Sequence, residues 1–224
     1  TFFVGFPGSG KTTISRLVTD GALPIMTISS DIWTEWFANV KGRTEWVDVG
    51  KTIKKHTISG IINNVNGLLP LFVDTTGANM VNFKERVKIL EDMGYDVSMV
   101  IVDVDPETSA KRVWERNKKI KRQVPDEFVM KAHKEISKAI PKFKSIIPNH
   151  ITVKNDIMDD GVIRDAYKRV VKFFNRPIQN EKGKKLIDFM KKNRYKYYNE
   201  VPEEWKADNG YPHIDNSTLK WFKR

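Results

Sequence analysis

The sequence predicts an α/β fold: a parallel sheet covered by helices on both faces. Three observations predict it. A glycine-rich loop, Gly5-Phe6-Pro7-Gly8-Ser9-Gly10-Lys11-Thr12, sits between a short apolar run and a segment with helical apolar spacing. Further apolar runs of strand length then alternate with longer segments of helical period. One of those runs, Leu68 to Val73, is continuously apolar and ends on an acid, Asp74, as a strand buried on both faces would.

The elements follow in order. Thr1 to Val4 is the first strand, and Thr13 to Val18 continues the helix after the loop. Pro24 to Ile28 reads as a second strand, and Asp31 to Val40 as a helix. Between Val49 and Val65, residues Ile53, Ile58, Ile61, Ile62 and Val65 form an apolar stripe at helical spacing. Leu68 to Val73 is the third strand. Asn79 to Met93 is helical, with Gly94 as its stop. Val97 to Val104 is the fourth strand. Pro106 opens a helix at the first turn, where its missing N–H costs nothing. Asp126 to Lys138 is a helix, His150 to Val153 a last short strand, and Asp159 to Phe174 a closing amphipathic helix. Strands alternating with helices throughout give the parallel sheet. The organisation is one domain over residues 1–174, and a basic C-terminal extension over 175–224 that is rich in Lys, Tyr and Trp.

The chain has 224 residues, 40% of them hydrophobic, enough for one α/β domain with a core plus a small appendage. It has no Cys, which excludes disulfides, thiol catalysis and Cys-ligated metals and makes a cytosolic address the expectation. No apolar run approaches the ~18 residues of a membrane span, so no membrane partner is expected. The formal net charge of +11 suits a polyanionic partner, with nucleic acid the leading candidate.

The loop has the full G-x-x-x-x-G-K-[ST] spacing, and each position has a chemical reason. Gly5, Gly8 and Gly10 let backbone N–H groups curl around a polyphosphate. Pro7, Ser9 and Thr13 complete the loop and the first helical turn, whose positive end faces the anion. Lys11 reaches the β- and γ-phosphates, and Thr12 offers its hydroxyl to Mg²⁺. ATP and Mg²⁺ are therefore the expected nucleotide and metal. Asp31, 20 positions after Lys11, falls at the carboxyl end of the second strand, where ligands of parallel sheets bind. A carboxylate there can take a proton from an attacking hydroxyl, and Ser30 or Asp31 could instead simply cap the next helix. Asp74, closing the third strand, can order Mg²⁺, with Thr75 and Thr76 beside it to orient substrate. Arg112 and Arg116 share a helix face, and with Arg122 they bracket the basic stretch 117–121. A mobile lid over 112–125 could neutralise a transferring phosphoryl group there. Trp33, Trp36, Phe37 and Trp46 could stack a base or pack in the core, and Arg43, Lys51, Lys54 and Lys55 could meet a phosphate backbone. His56 and His133 lie on helices without metal-ligand spacing.

These features in this order resemble the phage polynucleotide kinase domain, and also the zeta-toxin kinases, over residues 1–174. The motifs that carry the resemblance are the loop, Asp31, Asp74-Thr75, and Glu115-Arg116-Asn117 followed by a basic lid and Val124-Pro125. The resemblance implies a five-stranded P-loop kinase sheet, with Asp31 as general base and Arg116 and Arg122 as lid arginines. It departs at one position: polynucleotide kinases carry an arginine three residues after the base, where this chain has Thr34. The expected activity is transfer of the γ-phosphate of ATP to a hydroxyl on nucleic acid. That hydroxyl is a 5-hydroxymethylpyrimidine in phage DNA or a polynucleotide 5′-end, and Thr34 tilts the reading to the modified base. A zeta-like kinase of a UDP-sugar and a non-kinase ATPase switch are the alternatives.

Overall fold

The computed structural model describes residues 1–21, 25–41, 50–67, 69–76, 83–119, 124–157 and 159–199. Five strands form one sheet: β1 (Phe2–Gly5), β2 (Met26–Ser29), β3 (Leu71–Thr75), β4 (Met99–Asp103) and β5 (His150–Lys154). Their spatial order is β2-β3-β1-β4-β5, and every pairing is parallel. The helices are α1 (Lys11–Gly21), α2 (Ser30–Lys41), α3 (Gly50–Asn66), α4 (Phe83–Asp92), α5 (Pro106–Lys119), α6 (Asp126–Ile146), α7 (Asp160–Phe174) and α8 (Glu181–Asn199). The predicted parallel α/β fold is what the chain adopts.

Alternation along the strands splits the core between the two faces of the sheet. Phe3, Phe72, Val100, Val102 and Val153 pack with Ile14 and Val18 of α1 and with Ala166, Val170 and Phe173 of α7. On the opposite face Phe2 meets Phe83 of α4 edge-on, and Phe83 in turn meets Phe143 of α6. A second cluster there joins Phe6 and Val104 to Ala132 and Ile136 of α6.

Most element boundaries shift by one or two residues from the sequence reading, and two differences have a clear physical reason. The third strand starts at Leu71, because Pro70 has no N–H to give the ladder. Helix α6 runs eight residues past the predicted end at Lys138, through Pro141 to Ile146. A proline inside a helix costs about 3 kcal/mol. Here the burial of Ile136 and Phe143, with Ile140 packed alongside, holds the helix together across it. Within the extension, Glu181–Asn199 forms helix α8.

By internal contacts the chain forms two compact units. One is Thr1–Asp92 with Asp96–Pro177, and the other is Met93–Tyr95 with the described residues that follow Pro177. Within the second unit Gly94, at φ +100°, lies directly against Gly183 of α8, where a Cβ on Gly183 would collide with Gly94 O. Asn180 Nδ2 donates to Tyr95 O across 3.2 Å in the same unit. No helix among the described residues is long and apolar enough to cross a membrane.

Candidate active site

The sheet order puts β1 between β3 and β4; the connection out of β1 runs toward the β2 edge of the sheet and the connection out of β4 toward the β5 edge. Such a switch opens a crevice at the carboxyl ends of the strands. The loop after β1 fills it. Gly8 and Gly10 have φ of +75° and +90°, a region open to Gly at no steric cost. Gly5 is required by proximity: a Cβ there would collide with the Val102 carbonyl of β4. A Cβ on Gly8 would lie 2.7 Å from Ser109 O, and one on Gly10 would strike the Asn155 amide.

Neighbouring elements hold the loop on two sides. Asn155, just past β5, donates from Nδ2 to Ser9 O at 2.6 Å. Ser109 of α5 donates its hydroxyl to Pro7 O and is bonded in turn to His133 Nε2 of α6 at 2.7 Å. Arg112 ties α5 to the same post-β5 segment, donating to Asn155 O at 2.7 Å and Asp156 O at 3.1 Å. Ser9 is fully buried, and its Oγ has no hydrogen-bond partner among the described residues.

Lys11 is buried. Its Nζ donates to Gly5 O and Phe6 O, each at 2.9 Å, so the ammonium folds over the loop it belongs to. Thr12 donates from Oγ1 to Asp74 Oδ2 at 2.8 Å, which joins the two predicted metal-binding residues although they are 62 positions apart. Asp74 is buried; Thr75 and Thr76 beside it are half-buried, and Thr13 is exposed on the first turn of α1.

Asp31 lies on the same rim. Ser29 pairs with Asp74 across β2 and β3, and Asp31 follows two residues later in the first turn of α2. The cap of that helix comes from Ser29, whose Oγ accepts from the Asp31 N–H at 3.1 Å. That cap lies one residue before Ser30 and Asp31, the two weighed from sequence, and Asp31 itself is half-buried. Thr34 is buried, and its hydroxyl donates back to Ser30 O at 2.9 Å. Trp33 is half-buried and stacks on the exposed His56 of α3, with ring centroids 4.9 Å apart. Trp36 packs edge-on against Phe37.

In the segment expected as a lid, Arg116 is half-buried in the last turn of α5. Asn117 closes the segment with two bonds: Nδ2 to Val124 O at 2.8 Å, and Oδ1 from Val124 N–H at 3.1 Å. Arg43, Trp46 and Arg122 lie outside the described residues. Ser109, His133 and Asn155 were not singled out as site residues from the sequence. Asn155 carries the only weak signal, as a polar residue closing an apolar strand.

A family profile described as an AAA domain matches residues 1–139, more than half of the chain. No curated protein matches it in sequence. Solved structures show the same fold at low identity. A shikimate kinase from Bacteroides thetaiotaomicron is 15% identical, with a TM-score of 0.50, and the match covers 78% of this chain and 97% of that one. A structure of the PezAT chromosomal toxin-antitoxin system of Streptococcus pneumoniae is 16% identical with a TM-score of 0.51, covering 88% and 86%. A chain of the Pnkp1/Rnl/Hen1 RNA repair complex is 19% identical with a TM-score of 0.51, covering 63% of this chain and 45% of that one. The loop geometry, the sheet order and the profile agree: the chain belongs to this AAA-domain family and has the fold of a P-loop kinase.

Proposed function

We propose that the protein is an ATP- and Mg²⁺-dependent phosphotransferase acting on a hydroxyl of nucleic acid. The observation that carries the phosphotransfer reading is the contact of Thr12 Oγ1 with Asp74 Oδ2 beside a glycine loop bent at Gly8 and Gly10. The residues fit the nucleotide and its metal on their own chemistry. The loop glycines let the loop seat against Val102 O, Ser109 O and the Asn155 amide, where any Cβ would collide, and the buried Ser9 hydroxyl is a polar group without a hydrogen-bond partner among the described residues. A hydroxyl and a carboxylate are the hard oxygen donors Mg²⁺ takes alongside substrate phosphates.

In this reading the Gly8 to Thr13 backbone and Lys11 bind the polyphosphate. Lys11 exchanges two neutral carbonyl partners for anionic oxygens, which accept about twice as strongly. Thr12 and Asp74 would hold Mg²⁺, which when bound draws charge from the β- and γ-phosphate oxygens. Asp31 takes the proton of the acceptor hydroxyl as its oxygen attacks the γ-phosphorus. The bond to the β–γ bridging oxygen breaks, and ADP leaves. Arg116 and Arg122 offset the charge on the transferring group from the lid.

The acceptor is argued from charge and rings. The net charge of +11 favours a polyanion, with Arg43 among its contacts. Trp33 and His56 present stacked rings on α2 and α3, the helices on the Asp31 side of the sheet. Thr75 and Thr76 orient the acceptor at the rim, with Thr34 beneath the base-bearing turn. A hydroxymethylpyrimidine in DNA is favoured over a 5′-hydroxyl end, and the basic extension over 175–224 adds contacts to the strand. The test is transfer of labelled γ-phosphate to hydroxymethyluracil DNA, a 5′-hydroxyl oligonucleotide and UDP-N-acetylglucosamine. Label on either nucleic acid supports the reading; label on the sugar nucleotide alone refutes the acceptor class.

A further inference from the structure

We propose that Ser109 and His133 form a brace that aims the Gly8 N–H at the bound polyphosphate, making both positioning residues for nucleotide binding. The inference rests on the loop being the nucleotide site.

Donor arithmetic fixes the direction of the chain of bonds. Pro7 O can only accept, so Ser109 spends its one hydroxyl proton there. Ser109 Oγ must then accept from His133, which places the imidazole proton on Nε2. Nδ1 is left bare, and it is buried with no hydrogen-bond partner among the described residues. A histidine held only by one nitrogen and by its face has its tautomer chosen by Ser109. The face is accounted for: the ring stacks on Phe6, inside the loop, with centroids 4.0 Å apart and planes 17° from parallel.

The bond to Pro7 O acts on Gly8 through the peptide plane. The C=O and N–H of a trans peptide are rigidly opposed. Pinning Pro7 O toward α5 turns the Gly8 N–H away from α5. The same logic holds two residues on, where Asn155 pins Ser9 O and so turns the Gly10 N–H away from the segment after β5. Two alternate peptides of the loop are thus locked by side chains from outside it, 102 and 146 positions away. The Ser109 anchor is itself enclosed: Ser109 is fully buried and His133 is 6% exposed. In this Ser-His pair the imidazole donates to the hydroxyl instead of accepting its proton, so it does not activate Ser109 as a base would. Orientation is what it provides.

The test measures Mg·ATP affinity by calorimetry on the full chain, with the Gly8 amide resonance followed in the nucleotide-free protein. Ser109→Ala removes the anchor. His133→Phe removes the donor but keeps a ring on Phe6, so it decides the matter if Ser109→Ala does not fold. His133→Gln returns an N–H donor at the same reach. The brace predicts about tenfold weaker binding for Ser109→Ala and His133→Phe. It also predicts a Gly8 amide shift in both that exceeds the shift at Gly10, and recovery of most of the affinity in His133→Gln. Wild-type affinity in a folded Ser109→Ala or His133→Phe, with Gly8 unmoved, overturns the brace while leaving the nucleotide site intact. A folded wild-type protein that binds no Mg·ATP overturns the site itself, and the brace with it.

Discussion

Adding one methyl group at Gly5 tests how the loop is seated. Gly5 ends β1 and pairs with Val102 of β4, both in the interior of the sheet. An added Cβ would collide with Val102 O and would come within 2.9 Å of Ser9 Oγ and 3.2 Å of Val102 C. Two of these three atoms are backbone, so relief requires β1 and β4 to separate at the mouth of the site. Overpacking of this kind costs about 1–3 kcal/mol. At this chain length each kcal/mol moves Tm by about 2–4 °C, so Gly5→Ala should melt about 2–12 °C lower. Gly60 is the control of opposite sign. It lies inside α3, and its Cβ would make ordinary 3.7 Å contacts with Ile28. Gly60→Ala should gain about 0.5–1 kcal/mol, about 1–4 °C. The assay is thermal unfolding followed by far-UV circular dichroism, with urea midpoints alongside. A Gly5→Ala protein melting with the wild type, or a Gly60→Ala protein melting well below it, would refute the packing argument.

Other outcomes follow from the site. His133 has its pKa lowered by burial, against the opposing pull of the Asp105 and Asp103 carboxylates. The unfolded chain therefore takes up a proton near pH 6.5 that the native state refuses. Stability falls as pH drops from the unfolded value through the folded one, so His133→Gln should lose part of the pH dependence of Tm between pH 7 and pH 5; the rest belongs to the Thr1 amine, which burial lowers from 8.0 to about 5. Asp105 is also lowered, first by its side-chain bond with Thr108, but its loss of stability belongs below pH 3.8 and stays separable. Asp31→Asn should keep ATP binding and lose about 10²–10⁴-fold in transfer rate. A collapse of ATP affinity would move Asp31 into the metal site. DNA affinity should fall steeply with salt, and truncation after Asn175 should weaken DNA binding more than ATP binding; gel-shift titrations at two salt concentrations read both.

What was legible in the sequence is what short-range chemistry writes. The loop residues Gly5 to Thr12 sit in consecutive positions, and the five strands show as apolar runs because a doubly covered parallel sheet needs them. The pairing of Thr12 with Asp74 was legible only as two separate expectations, since nothing local joins residues 62 apart. The brace was invisible for the same reason. Ser109 looks like any helix-interior serine, and His133 lacks ligand spacing; their meaning comes from α5 and α6 packing against the loop. Helix α6 was read short because local propensity stops before Pro141, whereas Ile136 and Phe143 hold it from the core. Thr34 reads as a candidate for the acceptor because of its distance from Asp31, but its hydroxyl bond to Ser30 O is a property of the folded turn.

The central claim is that Gly5 to Thr12 binds the polyphosphate of ATP with Lys11 as its cation. Calorimetric titration of Mg·ATP into the wild type and Lys11→Ala tests it most directly. Losing one charge-assisted contact of about 1.5–3 kcal/mol should weaken binding about ten- to a hundredfold. Circular dichroism should show the fold retained in both. Equal affinity in the two folded proteins, or no saturable binding by the wild type, would contradict the account.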